Sequence, residues 1–349
     1  MYVAETFFYN LNFINPSGTS RGILHDKPSW FIKIYSKDNT SLYGLGECGP
    51  IKGLSIDSID KIDDKLIELK ENINNIKKVN LKQFPSIVFG LESALTDLNN
   101  GGKRILFNNG FSKEKKEIKI NGLIWMGEPS FMIQQIKEKI DLGFSCLKLK
   151  IGALNFNQEL EILKQIRTKF SAKNLELRLD ANGSFDPKDA LVKLKELSKY
   201  KIHSIEQPIE INQLKKLKVL CELSPIAIAL DEELIKIRDD EEKKELIEYV
   251  MPDYLILKPS LLGGFKQTKK WIDIAEKNNI KWWITSALES NIGLNAIAQF
   301  CAEFKTNLPQ GLGTGNLFNN NFPSPLSLNG EMLAYNHDKN WDFKHLFEL

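Results

Sequence analysis

The sequence predicts an α/β fold, a parallel barrel of the (β/α)₈ type behind a small α+β unit. Three observations carry this expectation. From about residue 117, short apolar strands alternate with helical stretches, which is the signature of βα units and a parallel sheet. Before that point strands come first and helices after, the order of a compact α+β unit. Finally, five consecutive predicted strands each end on a charged residue, and the spacing between those residues is one βα unit.

The N-terminal "MYVAETFFYNLNF" reads as a strand, followed by "SWFIKIYS" (29–36) and "SLYGLGECG" (41–49) around the turn "KDNT". Helical periodicity follows over 55–73 and 85–99. Barrel strands are then expected at 118–125, 146–151, 175–180, 203–207, 226–231, 254–258 and 282–287, with a last one just before "QGLGTG" (310–315). Between them, "FDPKDALVKLKELSK" carries a helix start, with Asp186 as N-cap and Pro187 in the first helical position. The organisation expected is an α+β unit over 1–115, a barrel over 116–315, and a loop-rich stretch, 316–349, that packs back on the N-terminal unit.

Bulk properties narrow the function. The 349 residues carry a net charge of +2 and 42 % hydrophobic residues, enough for a sizeable core and no sign of a nucleic-acid partner. "KEKKE" (113–117) reads as solvated surface. Cys48, Cys146, Cys221 and Cys301 form no C-x-x-C pair, so neither a zinc cluster nor a disulfide framework is expected. No apolar run is long enough to span a bilayer, and no signal peptide is evident. The expectation is a reduced, cytoplasmic enzyme with no membrane partner. His25, His203, His337 and His345 lack metal-ligand spacing, and "GLGTG" lacks the lysine of a phosphate-binding loop. Trp282 and Trp283 read as barrel core on alternate faces.

The strand ends carry the chemistry. They are Lys150, Asp180, Glu206, Asp231 and Lys258, separated by 30, 26, 25 and 27 residues. Strands of such a barrel deliver their last residues to one rim, where active sites sit. Asp180, Glu206 and Asp231 offer only oxygen, which favours a hard cation, Mg²⁺ before Mn²⁺. Asn182 and Glu232 follow two of these ligands and suit a supporting role. Strands two and six lie across the mouth from one another, so Lys150 and Lys258 address opposite faces of a small carboxylate ligand. A lysine base must be neutral, so its ordinary pKa of about 10.4 has to fall, through burial and nearby positive charge. Lys148, one layer below Lys150, and the cation are sources of that charge. The arrangement suits removal of a proton α to a carboxylate.

The residues resemble the enolase superfamily, muconate-lactonizing subgroup. The motifs are "KLK" (148–150), "DAN" (180–182), "EQP" (206–208), "DEE" (231–233) and "LKPSLLGG" (257–264), with "FGLESALTDL" (89–98) before the barrel. The resemblance implies an enolase-like modified TIM barrel of (β/α)₇β form under an α+β cap built from both termini. "SALESNIGLNAIAQF" (286–300) and "GLGTG" (311–315) resemble the branch that dehydrates 2-succinyl-6-hydroxy-2,4-cyclohexadiene-1-carboxylate to o-succinylbenzoate in menaquinone biosynthesis. There Lys150 would take the α-proton and help hydroxide leave, while Lys258 would stay cationic and stabilise the enediolate. Arg178, Ser286, Glu289 and Ser290 are the expected substrate contacts. "GLGEC" (44–48) and "SGTSRGILHD" (17–26) resemble capping loops. N-acylamino acid racemases and dipeptide epimerases of the same superfamily share the constellation and remain alternatives; a non-catalytic barrel would be expected to break it.

Overall fold

The computed structural model describes residues 1–19 and 22–348, without the side chains of 16–19. The chain begins with β1 (Tyr2–Thr19), β2 (Gly22–Ser36) and β3 (Asn39–Cys48), an antiparallel sheet in that order. The helices α1 (Ile62–Glu71) and α2 (Pro85–Asn99) cover it. Their apolar faces meet the sheet through Ile32, Ile34, Leu66, Ile87 and Ala94, all buried.

The stretch "GLGEC" is strand, as the pattern of 41–49 predicts, and not the capping loop that the resemblance implies. Its glycines are there because β3 is pressed against α2. A Cβ on Gly44 would sit 1.8 Å from the carbonyl oxygen of Ala94, and one on Gly46 would sit 1.9 Å from that of Gly90. Only glycine permits so close an approach.

The barrel follows β4 (Ile118–Lys119). Its units are β5 (Gly122–Ile124) with α3 (Pro129–Asp141), β6 (Cys146–Lys150) with α4 (Phe156–Lys169), and β7 (Glu176–Asp180) with α5 (Ala190–Ser198). Next come β8 (Ser204–Glu206) with α6 (Leu214–Leu223), and β9 (Ala227–Leu230) with α7 (Glu232–Ile235) and α8 (Asp240–Val250). Last are β10 (Tyr254–Leu257) with α9 (Pro259–Leu262) and α10 (Gly264–Lys277), and β11 (Lys281–Ile284) with α11 (Asn291–Cys301). Strands β5 to β11 form one parallel sheet in sequence order.

Gln310 and Gly311 close the ring through parallel bridges to Ile120 and Thr285. The eighth strand is thus a short one inside "QGLGTG", not before it, and among the described residues no helix of the barrel type follows. The architecture is the (β/α)₇β form. Leu147, Leu149 and Ile151 face outward into a core with Ile162, Leu163 and Ile166 of α4, which leaves Lys148 and Lys150 pointing inward by strand alternation.

The start of α5 falls later than expected. Asp186 caps the turn that leads into it, accepting from the Lys188 amide at 2.9 Å, and Pro187 lies in that turn. The last stretch divides its packing. Strand β12 (Leu326–Asn329) pairs with β13 (Met332–Tyr335), which pairs with β4, and α12 (Lys344–Phe347) returns to the N-terminal sheet, with Leu346 against Phe31 and Leu45. Among the described residues no helix is long and apolar enough to cross a membrane.

The tight contact of β3 with α2 yields a stability prediction. Gly46→Ala should destabilise the protein by about 3 kcal/mol or more, because backbone and not a flexible side chain stands in the way. Urea midpoints of the two proteins measure it; an unchanged midpoint would contradict the packing described.

Candidate active site at the barrel mouth

Parallel register builds the site. Lys150 pairs with Asp180 and Asp180 with Glu206 across three adjacent strands, and Asp231 follows β9 at the head of α7. Lys258 follows β10 at the head of α9. The five strand-end residues predicted from sequence come together at one rim.

They are paired as ions. Lys148 Nζ lies 2.9 Å from Asp180 Oδ2 and 2.6 Å from Glu206 Oε2. Lys150 Nζ lies 3.0 Å from Asp180 Oδ2 and donates to Asn182 Oδ1 at 2.7 Å. Lys258 Nζ donates to Asp231 Oδ2. Asn182 Nδ2 donates to Glu232 Oε1 at 2.9 Å. Three lysine side chains therefore face three acidic side chains that are at most 2 % exposed.

Burial and charge compete at each group. Burial opposes the charge of Lys148, but Asp180, Glu206 and Asp231 outweigh it and hold the ammonium above its ordinary range. Lys258 is likewise raised, burial being overcome by Asp231 and Glu206. Burial pushes Asp180 up, yet Lys148, Lys150 and Lys258 pull it well below the usual carboxylate range. Asp231 is also lowered, with Lys258 overcoming burial. Glu206 goes the other way: burial and the charge of Asp180 push it far up.

Among the described residues no three acidic, histidine or cysteine side chains form a ready-made metal-ligand set; lysines pair with one oxygen of each carboxylate. The donor set still fits a hard divalent cation. Glu206 Oε1 and Asp231 Oδ1 are buried with no hydrogen-bond partner among the described residues. As carboxylates they have nothing to accept from; only a proton on Glu206 would link it to Asp231. Such orphaned oxygens are costly unless a proton or a cation serves them.

Above the cluster lies a cavity of about 640 Å³. Lys148, Lys150, Asp180, Asn182, Glu232 and Lys258 line its floor. Leu123, Trp125, Thr285, Ser286 and Leu288 line the barrel side, with Gly311, Gly313 and Thr314 from the last strand and its loop. Ile23 and Leu24 come from β2, within the stretch expected as a capping loop; Ser20 and Arg21 of that stretch lie outside the described residues. A second cap segment, Ile51–Leu54, was not foreseen. Its one charged residue, Lys52, reads in sequence as an ordinary surface lysine, so only the segment's position after β3 could have signalled it.

The expected substrate contacts divide. Ser286 lines the cavity, donating to Gly311 O at 3.0 Å and accepting from Thr314 Oγ1 at 2.9 Å. Arg178 does not line it. It shares a face with Asp180 but lies one layer deeper, level with Lys148. Its guanidinium bonds Glu176 and Pro309 O, 2.7 and 2.8 Å away, and stacks over Trp283 at 4.1 Å.

Glu289 and Ser290 are also withdrawn from the cavity, both fully buried. Glu289 accepts from Ser260 Oγ and from the Ala287 amide, and burial pushes its carboxyl up. Ser290 caps α11 and gives its hydroxyl to Glu47 Oε2 at 2.6 Å. Glu47, also overlooked in the sequence, receives the Ser290 and Gly293 amides at 3.0 Å, with Lys27 3.7 Å away. It is a buried link from β3 to the head of α11, the helix that follows the cavity-lining loop 285–288.

The fold and the site together make a capped barrel whose mouth gathers paired lysines and carboxylates. Known proteins share its sequence and architecture. The sequence profile of the "Enolase C-terminal domain-like" family matches residues 132–335. An o-succinylbenzoate synthase of Desulfotalea psychrophila is 43 % identical, with 93 % of this chain and 96 % of that protein aligned. The crystal structure of MenC from the same organism superposes with a TM-score of 0.87 at 39 % identity, over 95 % of this chain and 99 % of that one. A dipeptide epimerase from Enterococcus faecalis, solved with Mg and the dipeptide L-Leu-L-Tyr, shares the fold at TM-score 0.83 and 23 % identity, over 97 % of each chain. The chain belongs to the enolase superfamily.

The ion pairing yields a second prediction. Lys148→Met leaves Asp180 and Glu206 without their shared cation, so in chelator-treated buffer it should cost about 3–5 kcal/mol of stability. Denaturant titration reads this; a loss below about 1 kcal/mol, the scale of an exposed pair, would contradict it.

Proposed function

We propose that the protein is an o-succinylbenzoate synthase, converting 2-succinyl-6-hydroxy-2,4-cyclohexadiene-1-carboxylate to o-succinylbenzoate and water. The observation that carries the reading is the kinship with the Desulfotalea synthase over nearly the whole of both chains. The cavity supports it, with Lys150 and Lys258 at a floor of buried carboxylates and Leu123, Trp125 and Leu288 as apolar wall.

In this reading Lys150 is the base. Its amine takes the proton from the ring carbon that bears the carboxylate. The ammonium so formed returns that proton to the departing hydroxide on the same face. One C–H and one C–O bond break, one C=C bond forms, and the ring becomes aromatic. Asn182 Oδ1 orients the Lys150 amine. Lys258, held cationic by Asp231, stabilises the negative charge that grows on the substrate carboxylate, and Lys148 adds a fixed charge one layer below. Asp180, Glu206 and Asp231 would hold a divalent cation, Mg²⁺ in preference to Mn²⁺. When bound, that cation supplies Lewis-acid stabilisation of the same developing charge.

Ser286 serves the succinyl side of the cavity. Arg178, Glu289 and Ser290 hold structure and do not touch substrate. The last-strand loop contributes Gly311, Gly313 and Thr314 and no acid, so it offers no carboxylate to the ammonium end of a dipeptide. The reading also places the enzyme in the cytoplasm, whose reducing conditions suit four free cysteines.

Purified protein supplied with Mg²⁺ should dehydrate the cyclohexadiene substrate. Lys150→Ala should lower kcat by at least about 100-fold, and excess chelator should abolish turnover. Full activity in chelator would overturn the cation assignment. Faster epimerisation of dipeptides than dehydration would overturn the synthase reading.

A further inference from the structure

The proposed substrate carries two carboxylates. One sits on the ring carbon that loses its proton and belongs at the catalytic floor. The other ends the succinyl chain, and the floor has no charge left for it. Each lysine there already faces a carboxylate: Lys148 faces Asp180 and Glu206, Lys150 faces Asp180, and Lys258 faces Asp231.

One other cation lines the cavity among the described residues. Lys52 sits in the cap segment Ile51–Leu54, on the side opposite the barrel floor. It is exposed, and among the described residues no carboxylate, hydrogen-bond acceptor or aromatic ring engages its ammonium. Its neighbours in the cavity wall are apolar: Ile51 and Leu54 beside it, Ile23 and Leu24 on the adjoining strand, and Leu288 from the barrel. The acids that line the cavity, Asp180 and Glu232, belong to the floor.

An apolar chain with a carboxylate at its end therefore finds one unengaged cation on the cap side. We propose that Lys52 receives the distal carboxylate of the substrate, and that it selects ω-carboxyacyl substrates over ligands whose far end is neutral or cationic. The proposal rests on the synthase reading and deepens it. It gives the cap segment a task distinct from the chemistry: Lys52 acts on binding, while the lysines of the floor act on the transition state. It also explains how one catalytic floor can serve a dicarboxylate and reject a dipeptide, since an ammonium arriving at Lys52 would be repelled.

The test compares Lys52→Met and Lys52→Arg with the wild type. For the succinyl substrate, Lys52→Met should raise KM about tenfold, as loss of one partly solvated charge-assisted contact does. Its kcat should fall less than threefold, and Lys52→Arg should restore KM to within threefold. Calorimetry supplies a readout independent of turnover. The wild type should bind o-succinylbenzoate about tenfold more tightly than 2-butyrylbenzoate, which lacks the distal carboxylate, and Lys52→Met should erase that preference. An unchanged KM in Lys52→Met, or a preference that survives the substitution, would overturn the proposal. Wild-type protein that fails to dehydrate the substrate would instead overturn the synthase reading, an outcome the calorimetric preference distinguishes.

Discussion

Three carboxylates buried at the ends of neighbouring parallel strands set the terms for the rest of this structure. Asp180, Glu206 and the residue after β9, Asp231, converge because register aligns the strand ends. Left alone, such charges repel and lose their water, which no fold tolerates without compensation. The compensation comes from inside the same barrel: Lys148 and Lys150 on the strand before Asp180, Lys258 on the strand after Asp231. Two oxygens, Glu206 Oε1 and Asp231 Oδ1, escape this arrangement. The cluster is held by its lysines yet incomplete in contacts, with two buried oxygens of a donor set that suits a hard cation.

The surrounding architecture serves this constraint. The outward residues of the strands fix the barrel against its helices, so the inward lysines have little freedom. The cap is secured twice. Glycines at 44 and 46 let β3 lie directly on α2, and Glu47 on the same strand ties the cap to the head of α11. Ser260, which follows Lys258 in α9, meets Glu289 across from Ala287. The floor, the loop 285–288 and the cap are thus connected through buried hydrogen bonds, and the cavity between them is held by structure on both sides.

Much of this was legible in the sequence because strand alternation and βα spacing are rigid rules. Lys150, Asp180, Glu206, Asp231 and Lys258 could be assigned to one rim from spacing alone. Arg178 was misplaced by the same logic applied too loosely. Sharing a face with Asp180 put it inside the barrel, but two residues earlier means one layer lower, where Glu176 and Trp283 claim it. Glu289 and Ser290 lie beside the cavity loop in sequence, yet their side chains are consumed by Ser260 and Glu47, partners from other segments that periodicity does not reveal. Ser290 did carry a readable signal, since serine before "NIGL" suits a helix cap. Glu47 carried none: an acid within a strand looks like surface until the packing on its far side is known. The last strand was shifted because its two bridging residues are too few to leave a pattern.

If the proposed function holds, a divalent cation binds at the carboxylate cluster and shares the oxygens now held by lysines. Anomalous diffraction from crystals equilibrated with Mn²⁺ tests it most directly. The expected result is one dominant peak bounded by Asp180, Glu206 and Asp231, with Glu206 Oε1 and Asp231 Oδ1 no longer without partners. A cluster that keeps every lysine–carboxylate pair at saturating Mn²⁺, with the peak elsewhere or absent, would contradict it.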